Sequence, residues 1–359
     1  MRQFSLFEPA TLPASTSRPV EGASSFVPLS AVAAPSAPPR GGIARLAAGA
    51  AVVDSRRGVE YRDLPCRTLV SRCDSPWVPF EFQINPYRGC EVACTYCYAR
   101  YTHEFMELAD WLDFERKIFV KRGAREALLR DLRRLDLRGK RIAIGTATDP
   151  YQPAERSFRL TRALLEVFAS RQHLSLSITT KSDLVTRDVE LLARVSERND
   201  LQVNLTITSP HYALSRRIEP RAPRPDKRLA AVRTLSEAGV RVGIFLMPVM
   251  PRINDAPEDL ELLMRLAREA GASYLVSQVL FLRQSAKKRF FPFLAEEFPE
   301  LLPSYRRLYA GAQTESLAAY RRAKMAEIEG LRQRYGLTGE RHDQRGGSGS
   351  QDQLTLEEF

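Results

Sequence analysis

Asn85–Arg100 reads NPYRGCEVACTYCYAR, and its reading decides the fold. Cys90, Cys94 and Cys97 stand as C-x3-C-x2-C. Three thiolates on one short loop hold three irons of a [4Fe–4S] cube. The fourth iron then lacks a protein ligand, and an open position on a metal centre serves chemistry rather than storage. Gly89 lets the backbone turn tightly into the loop. Tyr96 and Tyr98 flank Cys97 and can wall a cluster or a bound nucleoside. The competing reading is a zinc site built from these cysteines and His103. Zinc sites usually pair their ligands as two C-x2-C hooks or Cys/His sets, and this stretch offers one hook.

The C-x3-C-x-aromatic-C pattern resembles the motif of the radical S-adenosylmethionine (SAM) superfamily. The resemblance implies that SAM chelates the open iron and that one electron from the cluster cleaves it. The 5′-deoxyadenosyl radical so formed abstracts hydrogen from a substrate. A low-potential electron donor is implied as a partner.

Outward from this loop the pattern alternates between strand and helix, which argues for parallel strands joined by crossover helices. Strands are expected at Phe82–Tyr87, Arg141–Gly145, Leu174–Thr179, Leu201–Ile207, Val240–Met247 and Ser273–Leu280. Helices are expected at Tyr98–Asp110, Ala124–Leu135, Leu160–Phe168, Val189–Val195, Arg228–Ala238, Pro257–Ala270 and Ser304–Arg334. Leu128, Leu129, Leu132 and Leu135 carry helical spacing, and Gly239 ends the helix before it. Six β/α units resemble the partial barrel of radical SAM enzymes, with the cluster loop leaving the C-terminal end of the first strand. Barrel enzymes place their chemistry at that face.

Loops at the same face carry the next candidates. Gly145–Glu155 reads GTATDPYQPAE, Ile178–Asp183 reads ITTKSD, and Ser215–Arg228 reads SRRIEPRAPRPDKR. Together with the cysteine stretch and Pro248–Asp255 (PVMPRIND), they look like the spore photoproduct lyase-like branch, also called DNA repair photolyase-like. The match spans residues 56–280. By this resemblance Thr148, Asp149, Lys181 and Thr206 fall where the branch contacts SAM, and Tyr96, beside Cys97, is a further cofactor-binding candidate. Spore photoproduct lyases use a cysteine after the second strand as a hydrogen donor. Gly145–Asp149 has none; Ala147 or a neighbour occupies the place, and Tyr98 remains as a hydrogen relay. The departure argues against spore photoproduct repair itself and leaves the substrate open. Arg217, Glu219 and Arg221 follow the fourth strand and are candidates for substrate contact, since arginines on a proline-stiffened loop suit phosphates. An Arg–Glu network that fixes the loop is the alternative. Asn254 and Asp255 are read as caps of the helix near Pro257, Cys66 and Cys73 as structural cysteines, and Phe290, Phe291 and Phe293 as packing of the C-terminal extension.

The chain divides into a Pro/Ala/Ser-rich disordered tail (1–55), a barrel (56–282), a helical extension (283–340) and a flexible tail (341–359). Gln3–Phe7 (QFSLF) resembles the peptide that docks bacterial replication and repair proteins on the sliding clamp, departing from it at Phe4; Gln353–Phe359 echoes it faintly. A net charge of +11 points to a polyanionic partner. The chain has no membrane-length apolar run and no secretory start. Cysteines gathered in one loop suit a reducing cytoplasm.

The expectation is therefore an α/β protein with a partial (β/α)6 TIM-type barrel: a radical SAM enzyme of lyase-like type acting on nucleic acid, with DNA favoured. Two alternatives stand beside it. One is a DNA- or clamp-binding protein whose cluster is structural or redox-sensing. The other is a radical SAM enzyme that modifies RNA or protein.

Overall fold

The computed structural model describes residues 41–76, 78–311 and 314–338. The clamp-like Gln3–Phe7, Trp77 and the Gln353–Phe359 echo lie outside the described residues.

Eleven strands form two sheets among these residues: β1 Val52–Arg56, β2 Val59–Pro65, β3 Val70–Arg72, β4 Phe82–Ile84, β5 Tyr87–Arg88, β6 Lys117–Arg122, β7 Arg141–Ile144, β8 Ser175–Thr180, β9 Asp200–Thr206, β10 Arg241–Val249 and β11 Tyr274–Val279. The larger sheet runs β11-β10-β9-β8-β7-β4-β3. Its first six strands are parallel, and β3 closes the edge antiparallel to β4. This is the expected six-stranded partial barrel. Its strands carry Ile142, Ile144, Leu176, Ile178, Val203, Leu205, Val242, Ile244 and Leu275, all buried. Helices Ala124–Arg134, Leu160–Ala169, Val189–Ser196, Pro225–Glu237 and Pro257–Glu269 provide the crossovers. The last two begin on Pro257 and Pro225, where a fixed φ and a missing N–H cost nothing.

The first expected strand is corrected. It splits at Asn85–Pro86: Phe82–Ile84 stays in the barrel, while Tyr87–Arg88 turns away to pair antiparallel with β6. Proline has no N–H to continue a ladder. The second sheet, β1-β2-β6-β5, was not expected. β1 and β2 meet in a hairpin through Arg57 and Gly58, both left-handed at φ 50° and 76°, the geometry of a two-residue turn. Order therefore begins before residue 56, since a helix at Gly42–Ala48 already packs Ala47 against Leu64 and Phe119.

Two helices are also corrected. Tyr98–Asp110 forms only a 3-10 turn, Tyr98–Arg100, and a short helix, Tyr101–Glu104; Glu107 then turns left-handed at φ 58°. Ser304–Arg334 is two helices, Leu302–Leu308 and Glu315–Arg334, the second capped by the Thr314 hydroxyl accepting from the Leu317 N–H. With Gln284–Glu297 they form the helical C-terminal region, where Phe290 and Phe293 are buried as expected. The chain then returns to β11: the Leu275 N–H donates to the Leu337 carbonyl at 3.0 Å, covering the open edge of the sheet.

Gly145 joins β7 to the site loops and must be glycine. Its φ is +89°, and a Cβ there would lie 2.5 Å from Pro150 Cδ and 2.7 Å from the Thr179 carbonyl. Gly145→Ala is expected to lose roughly 2–4 kcal/mol of stability. Chemical denaturation checks this; an unchanged midpoint would contradict it.

Candidate metal centre

The chain leaves the C-terminal end of β4, passes through the two-residue β5, and then has no regular structure from Gly89 to Cys97, so the polar groups of the cysteine loop need partners from elsewhere. Gly89 at φ +81° lets it pass close to the core: a Cβ there would come 2.9 Å from the Lys117 carbonyl and 3.0 Å from that of Phe114. The Gly89 carbonyl accepts from Thr148 Oγ1 at 2.6 Å and Gln152 Nε2 at 3.2 Å. The Cys90 N–H donates to the Phe114 carbonyl at 2.9 Å, and the Glu91 N–H to Gln152 Oε1 at 2.9 Å. Buried Glu91 accepts in turn from the Tyr61 hydroxyl and the Ala154 N–H. On the far side the Thr95 N–H donates to the Ile218 carbonyl, and Arg100 Nη2 to that of Cys94 at 2.8 Å. Every side of the loop is thus held by the fold itself.

Cys90 and Cys94 are buried and Cys97 is half-buried; none forms a disulfide. Each thiol lies within electrostatic reach of the others. Burial pushes all three up, Cys94 to about 12, which is the cost that ligation of a metal removes. The zinc reading loses its fourth ligand. His103 sits behind the loop with Nε2 3.1 Å from the Lys117 carbonyl and its ring against Phe114 and Phe119; burial pushes its pKa down to about 4. Among the described residues no three His, Cys, Asp or Glu side chains converge on a single ion. A cube asks for something different, one thiolate on each of three irons. Three thiols on one restrained loop fit that group.

The other candidates divide into staples and uncommitted groups. Asp149 accepts from Thr180 Oγ1 at 2.6 Å, from the Tyr151 N–H at 2.9 Å and from the Lys181 N–H at 2.7 Å, so its carboxylate binds the β7 loop to the β8 loop. Its own N–H bonds to Cys90. Thr148 is committed to Gly89 and Gln152. Thr206 is buried, and its carbonyl accepts from Arg228 Nη1 at 2.9 Å. Tyr96 donates to Glu219, which also accepts from Thr208 Oγ1 at 3.1 Å and pairs with Arg228 at 2.6 Å. Lys181 differs: its half-buried ammonium lies 5.7 Å from the centre of the Tyr96 ring. Burial works against its charge, but Cys94, Glu219 and Asp149 together raise its pKa. Tyr98, 45% exposed, donates to the Thr146 carbonyl. Cys73 is among its electrostatic neighbours.

The expected substrate trio is not brought together. Glu219 is buried; burial alone would raise its carboxyl, but Arg228 and Lys181 hold it below the usual range. Arg217 pairs with Glu297 and lies 4.1 Å over the Phe298 ring, tied to the C-terminal helices. Arg221 is exposed, its N–H donating to the Val92 carbonyl at 3.3 Å. Arg228, the last residue of the SRRIEPRAPRPDKR segment, is fully buried. Asn254 caps no helix: its Oδ1 accepts from the Met250 N–H at 2.6 Å and its amide donates to the Thr208 and Pro248 carbonyls, fixing the loop after β10. Sequence reasoning passed over Gln152 and Asn85, whose Oδ1 accepts from the Ala147 N–H at 2.8 Å. Their only signal was their place inside quoted stretches.

The radical SAM superfamily profile matches residues 84–267, from β4 through the helix before β11. An uncharacterised Mycobacterium tuberculosis protein is 33% identical over 253 residues, covering 70% of this chain and 74% of that one. An uncharacterised protein of Methanocaldococcus jannaschii is 32% identical over 220 residues, 61% of this chain and 77% of that one. The chain belongs to the radical SAM superfamily. A spore photoproduct lyase with a cysteine-to-serine substitution superposes with a TM-score of 0.52 at 19% identity, covering 77% of this chain and 78% of that chain. The same lyase in complex with dinucleoside spore photoproduct gives 0.51 at 18%, with the same coverage. At these identities the likeness is one of fold.

Arg228→Met would leave Glu219 charged and unpaired in the interior. It is expected to cost about 3–5 kcal/mol, and adding Glu219→Gln should recover most of that. Denaturant midpoints of the two variants check this; equal midpoints for wild type and Arg228→Met would contradict it.

Proposed function

We propose that the chain is a radical SAM enzyme whose Cys90, Cys94 and Cys97 ligate a [4Fe–4S] cluster and whose substrate is a nucleic acid, DNA in the first instance. The observation that carries it is the trio of thiols, two buried and one half-buried, on a loop fastened to the barrel mouth, with Lys181 near Cys94. When bound, the cluster and SAM supply a 5′-deoxyadenosyl radical that takes hydrogen from a substrate carbon.

The protein's part is to position and to exclude water. Thr148 and Gln152 hold the cysteine loop at Gly89. Asp149 fixes the β8 loop so that Lys181 stands by the Tyr96 ring, where its ammonium can meet the SAM carboxylate. Tyr96, held by Glu219, provides the ring beside which Lys181 stands. Tyr98, 45% exposed with its O–H donating to the Thr146 carbonyl, would serve as the hydrogen relay. Lyase chemistry, a low-potential electron donor and sliding-clamp docking through Gln3–Phe7 belong to the same proposal. The net charge of +11 supports the nucleic-acid substrate, as does the dinucleoside bound by the structural neighbour. No helix among the described residues is long and apolar enough to cross a membrane.

Anaerobically reconstituted protein with SAM and a strong reductant should form 5′-deoxyadenosine, and DNA carrying ultraviolet damage should stimulate it. Cys97→Ala should form none. Turnover retained in Cys97→Ala would refute the ligand assignment, and turnover indifferent to DNA would refute the substrate class. A peptide of residues 1–12 should bind the bacterial sliding clamp in a direct binding assay; no binding would sink the docking role.

A further inference from the structure

Arg88 and Lys121 stand beside one another with no carboxylate partner among the described residues. β5 and β6 run antiparallel with Arg88 opposite Phe119. Lys121, two residues on, therefore projects from the same face at the diagonal position, within reach of a long side chain. Both residues are half-buried, and Arg88 Nε is buried without a hydrogen-bond partner. The groups that act on their charges are Tyr101 and Cys66 for Arg88, and Arg88 and Cys66 for Lys121; none is a carboxylate. The Cys66 thiol donates to the Thr68 carbonyl, and burial pushes its pKa up, so it is neutral.

Two adjacent cations withdrawn from water oppose folding unless an anion joins them. Burial, with Arg88 adding to it, pushes the Lys121 ammonium down to about 8. Other withdrawn guanidinium groups do have carboxylate partners: buried Arg228 with Glu219, buried Arg100 with Glu115, and half-buried Arg187 with Glu155 and Asp188. The surroundings indicate which anion fits. Arg88 is two residues before Cys90. Tyr101, its neighbour, carries the Arg283 guanidinium 4.0 Å over its ring, and Tyr98 in the same turn is 45% exposed. Cations next to aromatic faces suit a phosphate with its attached base.

We propose that Arg88 and Lys121 form a phosphate site that holds a phosphodiester of the nucleic-acid chain beside the cysteine loop. This rests on the nucleic-acid reading above. A phosphorylated small molecule offers the same chemistry, and the arms of the test separate the two sources.

The test compares wild type, Lys121→Met and Lys121→Arg. Fluorescence anisotropy with a labelled single-stranded oligodeoxynucleotide is measured across a salt series, and thermal shift with inorganic phosphate. Lys121→Met is expected to bind the oligonucleotide several-fold more weakly, with a slope of log affinity against log salt shallower by about 0.7. Lys121→Arg should keep both. Without ligand, Lys121→Met should melt at or above the wild-type temperature, because it removes an uncompensated cation; this separates a lost anion contact from misfolding. Unchanged affinity and slope in Lys121→Met would overturn the proposal. Phosphate stabilisation that depends on Lys121, with oligonucleotide binding that does not, would overturn the nucleic-acid source and assign a small phosphorylated ligand. A wild type that forms 5′-deoxyadenosine but binds no oligonucleotide would overturn this site while leaving the radical chemistry standing. Lys121-dependent oligonucleotide binding without 5′-deoxyadenosine would support the site and sink the chemistry.

Discussion

The carbonyl oxygen of Gly89 is the joint on which the site depends. It accepts from Thr148 and Gln152 and so fastens the cysteine loop, which follows the first barrel strand, to the loop after the second. Only a residue tolerant of φ +81° and without a Cβ can carry the chain this close to the Phe114 and Lys117 carbonyls. The next fastening repeats one strand further on, where Asp149 spans from the β7 loop to the β8 loop. Three short loops with no regular structure of their own thereby become one surface. That surface exists before any cofactor arrives, and preorganised ligands spare a cluster the cost of ordering them.

Electrostatics then sort the polar groups by task. Out of water, one oxygen of Glu219 accepts from Tyr96 and Thr208 and the other faces the Arg228 guanidinium, so hydrogen bonds and an ion pair together hold the carboxylate. Lys181 stands outside that arrangement. Burial opposes its charge, and the nearby Glu219 and Asp149 carboxylates favour it. Arg88 and Lys121 are cations too, and no carboxylate among the described residues acts on their charges.

The barrel was legible because its strands are short apolar runs separated by helices with clear periodicity; Leu174–Thr179 and Val240–Met247 need no tertiary information to be read. The second sheet was not. β5 is two residues long, and its partner β6 buries Ile118, Phe119 and Val120 in succession, without alternation to mark a strand. The hairpin from Val52 to Pro65 did alternate from Val59 onward, and its Arg57-Gly58 turn was a usable signal. In the site, the cysteine loop was marked by its spacing and by the resemblance that spacing carries, whereas the positions taken by neighbouring polar residues were not. Arg217, Glu219 and Arg221 are adjacent in sequence, but the helix Tyr212–Ile218 ends between them and the turn after it sends them to the C-terminal helices, the interior and the solvent. Spacing along a chain carries no information about which direction a turn will take.

The measurement that bears most directly on this account is electron paramagnetic resonance of the anaerobically reconstituted, reduced protein, recorded before and after adding SAM alongside iron and sulfide analysis. A loop offering three thiolates predicts four irons and four sulfides per chain and a reduced-cluster signal that changes when SAM reaches the open iron. A signal indifferent to SAM, or a single tightly held zinc ion in place of iron, would contradict it.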